Sequence, residues 1–259
     1  LARPAFSGPG GPFRTFARRR KPRPSSMSDA IKHECGIALI RLRKPLSYYQ
    51  ERYGSPLYGL KKLYLLMEKQ HNRGQDGAGF ATIKLDPVPG LNYIDRERST
   101  DKQAIQRIFS KVDKAYAEAI AQDPQAAQDP ERLKHIMPYL GEVLLGHLRY
   151  ATFGHDSLEN CHPRRRLNNW MTRNLVVAGN FNMTNVDELF DLLVSIGQHP
   201  KERSDTMTVL EKIGHYLDVE NDRLAQIHRQ LGYNERQITP LIGEKMDVRQ
   251  ILANSAIDF

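Results

Sequence analysis

Cys35 opens the apolar run "CGIALIRLR" (35–43), behind a short polar leader, "MSDAIKHE" (27–34), in a chain whose only other cysteine is Cys161. At the head of a strand such a thiol is ordinarily a small buried hydrophobe. It gains a base of its own if the leader is cut between Glu34 and Cys35, because the freed α-amine, with an unperturbed pKa of about 8, accepts the thiol proton. Uncut, that nitrogen is an amide without useful basicity, and the chain is expected to be inactive. A cysteine–histidine pair is the rival arrangement, with His147, His155, His162 or His199 as base, although no local protease signature surrounds Cys35. His147, His155 and His162 do not share a helical face as a metalloprotease pair would, so no metal site is expected from them.

Other residue types suit a substrate with charged ends. Arg149 in "GHLRYATFG" follows an apolar strand, and its guanidinium can grip a carboxylate with two parallel hydrogen bonds that lysine cannot reproduce; the bland alternative is a surface charge or a structural ion pair. In "AGNFNMTN" a strand stops near Asn180 and a helix begins soon after, a turn that can aim an amide side chain and backbone N–H groups at one oxyanion, or serve only as a helix cap. Asp205 in "RSDTM" precedes a helix and reads as an N-cap aspartate unless it faces an ammonium group.

The elements that must position these residues alternate. A strand over 35–43 leads to an amphipathic helix over 55–70 carrying Leu57, Leu60, Leu63, Tyr64 and Met67 at helical spacing. A Gly-rich turn, "NRGQDGAG", is expected before the strand "FATIKL", and 86–100 reads as a loop or weak hairpin. Helices over 102–120 and 130–138 flank the breaker-rich "AQDPQAAQDP". Then come the strand "GEVLLGHLRYATFG", the short strand "NLVVAGN", a helix in "TNVDELFDLLVSIG" with Thr184 or Asn185 as N-cap, and helices almost to the end beyond Ser204. Interleaved strands and helices indicate a layered α+β domain.

Of the 259 residues, 1–26 hold six Arg and one Lys with no acidic group, which leaves the remainder with 31 basic against 30 acidic side chains. A nearly neutral folded part lacks the footprint of a nucleic-acid binder. The Pro-, Gly- and Arg-rich tail 1–26 is expected to be disordered, either an artefact of the reading frame with Met27 as the start or a targeting segment. Residues 27–34 read as a propeptide-like leader and 35–259 as the enzyme domain, with a helical end from about 220 at which truncation is expected. No run reaches the roughly 18 apolar residues of a membrane span, and two cysteines are too few for a disulfide framework, so a cytoplasmic protein is expected.

Cys35, "RGQDGAG", "GHLRYAT", "GNFNMTN" and "SDT" together resemble, in order and approximate spacing, the class II glutamine amidotransferases of the N-terminal-nucleophile hydrolase superfamily. "ECGI" behind a short leader makes the chain most similar to the glutaminase half of the amidophosphoribosyltransferases, over about 34–210. The resemblance implies a four-layer αββα sandwich. It implies glutamine as substrate, hydrolysed to glutamate and ammonia through a thioester on Cys35. Asn180 and the N–H of Phe181 would hold the oxyanion, Arg149 with Thr152 the α-carboxylate, Asp205 the ammonium, and Arg73 the loop over the cysteine, with "RGQDGAG" as a lid. The family usually has His-Asn-Gly where this chain has Gly179, Asn180 and Phe181, and a bulky residue disfavours positive φ. No phosphoribosyl-pyrophosphate loop follows residue 210, so that acceptor, its Mg and the step to phosphoribosylamine in purine synthesis are implied only for a missing part; no cofactor is expected in this chain, and a homo-oligomer is. The alternatives are a class II amidotransferase with another ammonia acceptor and a non-catalytic binding protein whose basic tail engages an anionic surface.

Overall fold

The computed structural model describes residues 34–150 and 157–258. The tail 1–26, the leader as far as residue 33, and 151–156 with Thr152 and His155 lie outside the described residues. Among those described, the elements run β1 Gly36–Arg41, α1 Leu46–Tyr53, α2 Tyr58–Lys69, β2 Gly77–Ile83, β3 Ile94–Ser99, α3 Ala104–Gln122, α4 Pro130–Ile136, β4 Val143–Arg149, β5 Arg164–Arg166, β6 Leu175–Val177, α5 Val186–Ser195, α6 Asp205–Gln230, α7 Glu235–Lys245 and α8 Val248–Ser255. The strands form an antiparallel four-stranded sheet in the order β1–β4–β2–β3 and an antiparallel pair, β5–β6. The chain is therefore mixed α+β, as expected. No helix among the described residues is long and apolar enough to cross a membrane.

Alternation of side chains along a strand divides the larger sheet into two unlike faces. Ala38, Ala78, Phe80, Leu144 and Leu148 enter a core with Leu60, Leu63 and Met67 of α2, Ile108 and Val112 of α3, and Leu133 of α4. α2 lies on β1 and β4, and α3 on β2 and β3. Phe80, wholly buried, packs its ring 5.2 Å from Phe109 and 5.6 Å from Tyr139. The other face carries Ile37 and Leu39 from β1, His147 and Arg149 from β4, and Gly77 and Gly79 from β2. Over β2 it is crossed by the chain at Cys161 and His162: a Cβ on Gly77 would stand 2.6 Å from Cys161 Sγ, and one on Gly79 would strike the His162 carbonyl. Arg98 secures the crossing by donating to the Cys161 carbonyl at 2.9 Å. Over β1 the face is open, with Ile37 44% and Leu39 66% exposed.

The remaining elements gather around α6, which contacts α5, α7, α8 and both short strands. Arg166 of β5 pairs with Asp218 and, at 3.3 Å, with Glu211, while Arg173 pairs with Asp218 at 3.7 Å, so ionic contacts fix the β5–β6 pair to this helix.

Four expectations need correction. Residues 86–100 hold the full strand β3, which alternates charged residues and is paired along its length with β2. The turn expected over "NRGQDGAG" is confined to its first half: Gly77 and Gly79 belong to β2, and no glycine of this stretch has positive φ. Gly77 and Gly79 admit Cys161 and His162, and Gly74 admits the Arg149 backbone. α1 was not expected, because its one fully buried apolar side chain is Leu46 and its other contacts come from distant elements, α4 and, through the stacking of Tyr49 on Tyr58 at 5.1 Å, α2. Asp205 is the first residue of α6, and Ser204 is its N-cap, accepting from the Met207 N–H at 3.4 Å.

Candidate functional site

Because β1 and β4 are antiparallel with Gly36 opposite Leu148, the start of one strand meets the end of the other, and Cys35 comes to lie beside Arg149 and Tyr150. The Tyr150 N–H donates to Cys35 Sγ at 3.5 Å, and the thiol lies 3.9 Å from the Tyr150 carbonyl. This junction opens into a cavity of about 440 Å³ lined by Cys35, Arg149, Asn180, Phe181 and Asp205 among others. Five of the seven residues singled out from the sequence, up to 170 positions apart, thus share one space. Thr152 lies outside the described residues. Arg73 does not line the cavity; it pairs at 3.6 Å with Glu34, the residue before Cys35, and both side chains are largely exposed.

The turn after β6 forms the opposite wall. Neither Phe181 nor Asn180 has positive φ; among the described residues only Asp86 and Tyr139 do without being glycine. The ring of Phe181 folds back over Gly179, where a Cβ would collide with it. The Phe181 ring thus occupies the space beside Gly179, and no residue of the turn has positive φ. Asp205 closes the turn from the α6 side, its Oδ2 accepting from the Met183 N–H at 3.1 Å. A carboxylate in the first turn of a helix also sits where the peptide dipoles favour negative charge.

Two histidines line the cavity as well. His147, 1% exposed on β4, faces His162 with ring centroids 4.5 Å apart, and neither of its ring nitrogens has a hydrogen-bond partner among the described residues. His162 Nδ1 accepts from the Gly179 N–H at 3.5 Å, and its Nε2 lies 2.8 Å from Thr206 Oγ1. Burial, reinforced by Arg149, lowers the His147 pKa to about 4; burial, followed by His147 and Arg164, lowers that of His162 to about 3. Both rings are therefore neutral near pH 7 and are weak bases. Of the four histidines that the sequence offers as partners for Cys35, His147 and His162 reach the cavity but are electrostatically unsuited to take its proton, His199 does not line it, and His155 lies outside the described residues.

Arg164, Arg203 and Ser204 also line the space. Arg164 is held by Glu202, and Arg203 by Asp187 and Asp191 at 2.9 Å each, with its guanidinium 4.2 Å from the centre of the Phe190 ring. Both guanidiniums are thus matched by carboxylates, and Arg149 and Asp205 face the same space, which suits a ligand bearing a carboxylate and an ammonium. Arg164 and Thr206 are not anticipated from the sequence, since "HPRRR" and the residue after an aspartate are commonplace, whereas His162 is offered there only as a base for Cys35. Among the described residues no group of three His, Cys, Asp or Glu is placed to hold a metal. No family model matches the chain, and none of the curated proteins matches it.

Proposed function

We propose that the chain is the glutaminase part of a class II glutamine amidotransferase, cleaving glutamine to glutamate and ammonia through a thioester on Cys35. The observation that carries this is the convergence of Cys35, Arg149, Asn180, Phe181 and Asp205 on one cavity. Free glutamine offers a carboxylate to Arg149, an ammonium to Asp205 and a side-chain amide to Cys35, so each charged residue has a matching group on the substrate.

In the proposed chemistry, removal of the leader converts the Cys35 nitrogen from an amide into an amine, which takes the thiol proton. The thiolate attacks the amide carbon of glutamine. The resulting oxyanion is held by the Asn180 side chain and the Phe181 N–H, donors fixed before the charge develops. Collapse breaks the C–N bond, the ammonium formed from Cys35 returns its proton to the leaving nitrogen, and ammonia departs. Water then attacks the thioester, giving up a proton to the same amine, and glutamate is released with the thiol restored. Leader removal would also take away Glu34, the partner of Arg73.

The finer fold reading, a four-layer αββα sandwich, is supported by the open sheet face around Ile37 and Leu39, which has the apolar character of a surface made to lie against a second sheet. Delivery of ammonia to phosphoribosyl pyrophosphate, with Mg, by a further domain of a cytoplasmic homo-oligomer completes the proposal. A cysteine–histidine dyad is the second reading; His147 and His162 share the cavity, but their depressed basicity counts against it.

The test combines the intact mass of the expressed full chain, its N-terminal residue and its release of glutamate from glutamine. Cys35 in first place on an active protein is the expected result. Full activity with Glu34 still attached, or none after Cys35 is exposed, overturns the proposal.

A further inference from the structure

We infer that His162 is a positioning residue that braces the Asn180 turn against the first turn of α6. The inference rests on the amidotransferase reading for its functional meaning and on the ring's two contacts for its geometry.

The segment from Gly179 to Met183 is tied to the start of α6 at both ends. At the far end the Met183 N–H meets the Asp205 carboxylate directly, at 3.1 Å. At the near end no such direct contact exists among the described hydrogen bonds, and the imidazole of His162 spans the gap: the Gly179 N–H on one side at 3.5 Å, the Thr206 hydroxyl on the other at 2.8 Å. An amide N–H can only donate, so Nδ1 accepts and carries no proton. The neutral ring therefore holds its proton on Nε2, which donates to Thr206 Oγ1. Only one tautomer and only the uncharged ring can make both contacts.

The brace itself is anchored from behind. His162 lies in the segment crossing the sheet at Gly79, its ring packs at a tilt against buried His147, and Arg98 grips the carbonyl of the preceding Cys161. The groups facing the ring are His147 from β4 and Arg164 from β5, with Arg149 at the end of β4, so its surroundings also oppose a positive charge. The ring thus sets the distance between Asn180, assigned to the oxyanion, and Asp205, assigned to the ammonium, without touching the substrate's reacting atoms.

Removing the brace lets the oxyanion donors drift, and a drift of this kind lowers kcat more than it raises KM. His162→Phe keeps the ring against His147 but has neither nitrogen; in the full chain kcat for glutamine is expected to fall by about 10- to 100-fold with KM within about threefold. His162→Gln, whose amide supplies one acceptor and one donor, recovers most of that loss. Thr206→Val removes one contact alone, serves if the phenylalanine variant does not fold, and adds no further loss in the double variant with His162→Phe. Independently of activity, ¹⁵N-detected imidazole spectra are expected to show His162 as the neutral Nε2–H tautomer, unchanged from pH 5 to 8 in the wild type and disturbed in Thr206→Val.

Unchanged kcat in His162→Phe, equal losses in the phenylalanine and glutamine variants, or a ring that titrates between pH 6 and 7 overturns the inference. Wild-type protein that exposes Cys35 yet leaves glutamine intact removes the amidotransferase reading only; the brace is then decided by the imidazole spectra.

Discussion

The two faces of the four-stranded sheet are built from the same strands and serve opposite ends. On β4, Leu144 and Leu148 point to the helices and are wholly buried among apolar neighbours, while His147 and Arg149, one residue out of step, point to the cavity. The helix-covered face is apolar over β1, β4 and most of β2 and carries charge at β3, where Glu97 pairs with Lys111 of α3. The other face holds neutral imidazoles, arginines and a thiol at a surface that is part crossed by chain and part open. A one-residue shift of β4 against β1 would exchange these sets, burying a guanidinium among leucines. Register is therefore what separates stability from chemistry in this fold.

The largest expected contrast between the faces comes from Cys35→Ala. Glutamine hydrolysis should fall by about 10⁴-fold or more, since the nucleophile is lost outright, while the unfolding midpoint in denaturant barely moves because a small side chain still fits beside Tyr150. Phe80→Ala on the helix-covered face should do the reverse. Its loss leaves a cavity between Phe109 and Tyr139, costing about 3–5 kcal/mol in equilibrium unfolding.

Acid sharpens the comparison, because the two histidines belong to one face only. In the native state their rings stay neutral down to about pH 4 and 3, whereas in the unfolded chain they take up protons near pH 6.5. Below pH 6.5 the unfolded state thus binds more protons, so stability is complete above that pH and is lost as pH falls towards 4, by at most ~1.4 kcal/mol per pH unit for each ring. Denaturant unfolding at pH 7, 6 and 5 checks this, and His147→Leu should flatten the slope; a profile without slope contradicts the neutral pair.

A smaller effect is expected from Arg149→Lys, which keeps the charge but not the fork. KM for glutamine should rise about 10- to 100-fold, corresponding to roughly 1.5–3 kcal/mol, with kcat less affected. Smaller still, Gly179→Ala forces its Cβ into the Phe181 ring and should cost about 1–3 kcal/mol of stability. The double variant with Phe181→Ala should recover most of this, and an additive loss would contradict the packing of the Phe181 ring over Gly179.

Much of this was legible in the sequence. The pattern in 104–136 marked α3 and α4 because apolar residues recur at helical spacing and the intervening prolines cannot continue a helix. Alternation marked β1, and an apolar run marked β4. β3 was not legible, since its charged residues look like a loop until β2 supplies the hydrogen-bonded partner, and α1 was hidden because distant elements, α4 and α2, supply much of its packing. Cys35, Arg149, Asn180 and Asp205, which line one cavity, were singled out by type and by the resemblance of the motifs that carry them, because type alone leaves each with an ordinary structural role.

What the sequence by itself determined, then, was the local periodicity and the chemical inventory, because both are set by side chains within a few residues of one another. Only the tertiary structure decided that Cys35 lies beside Arg149 and Tyr150, that Phe181 fills the space left by Gly179, and that two histidines reach the cavity as neutral rings. Those outcomes depend on strand register, on close approach between distant segments and on burial, which appear only when residues far apart in the chain exclude water from one another.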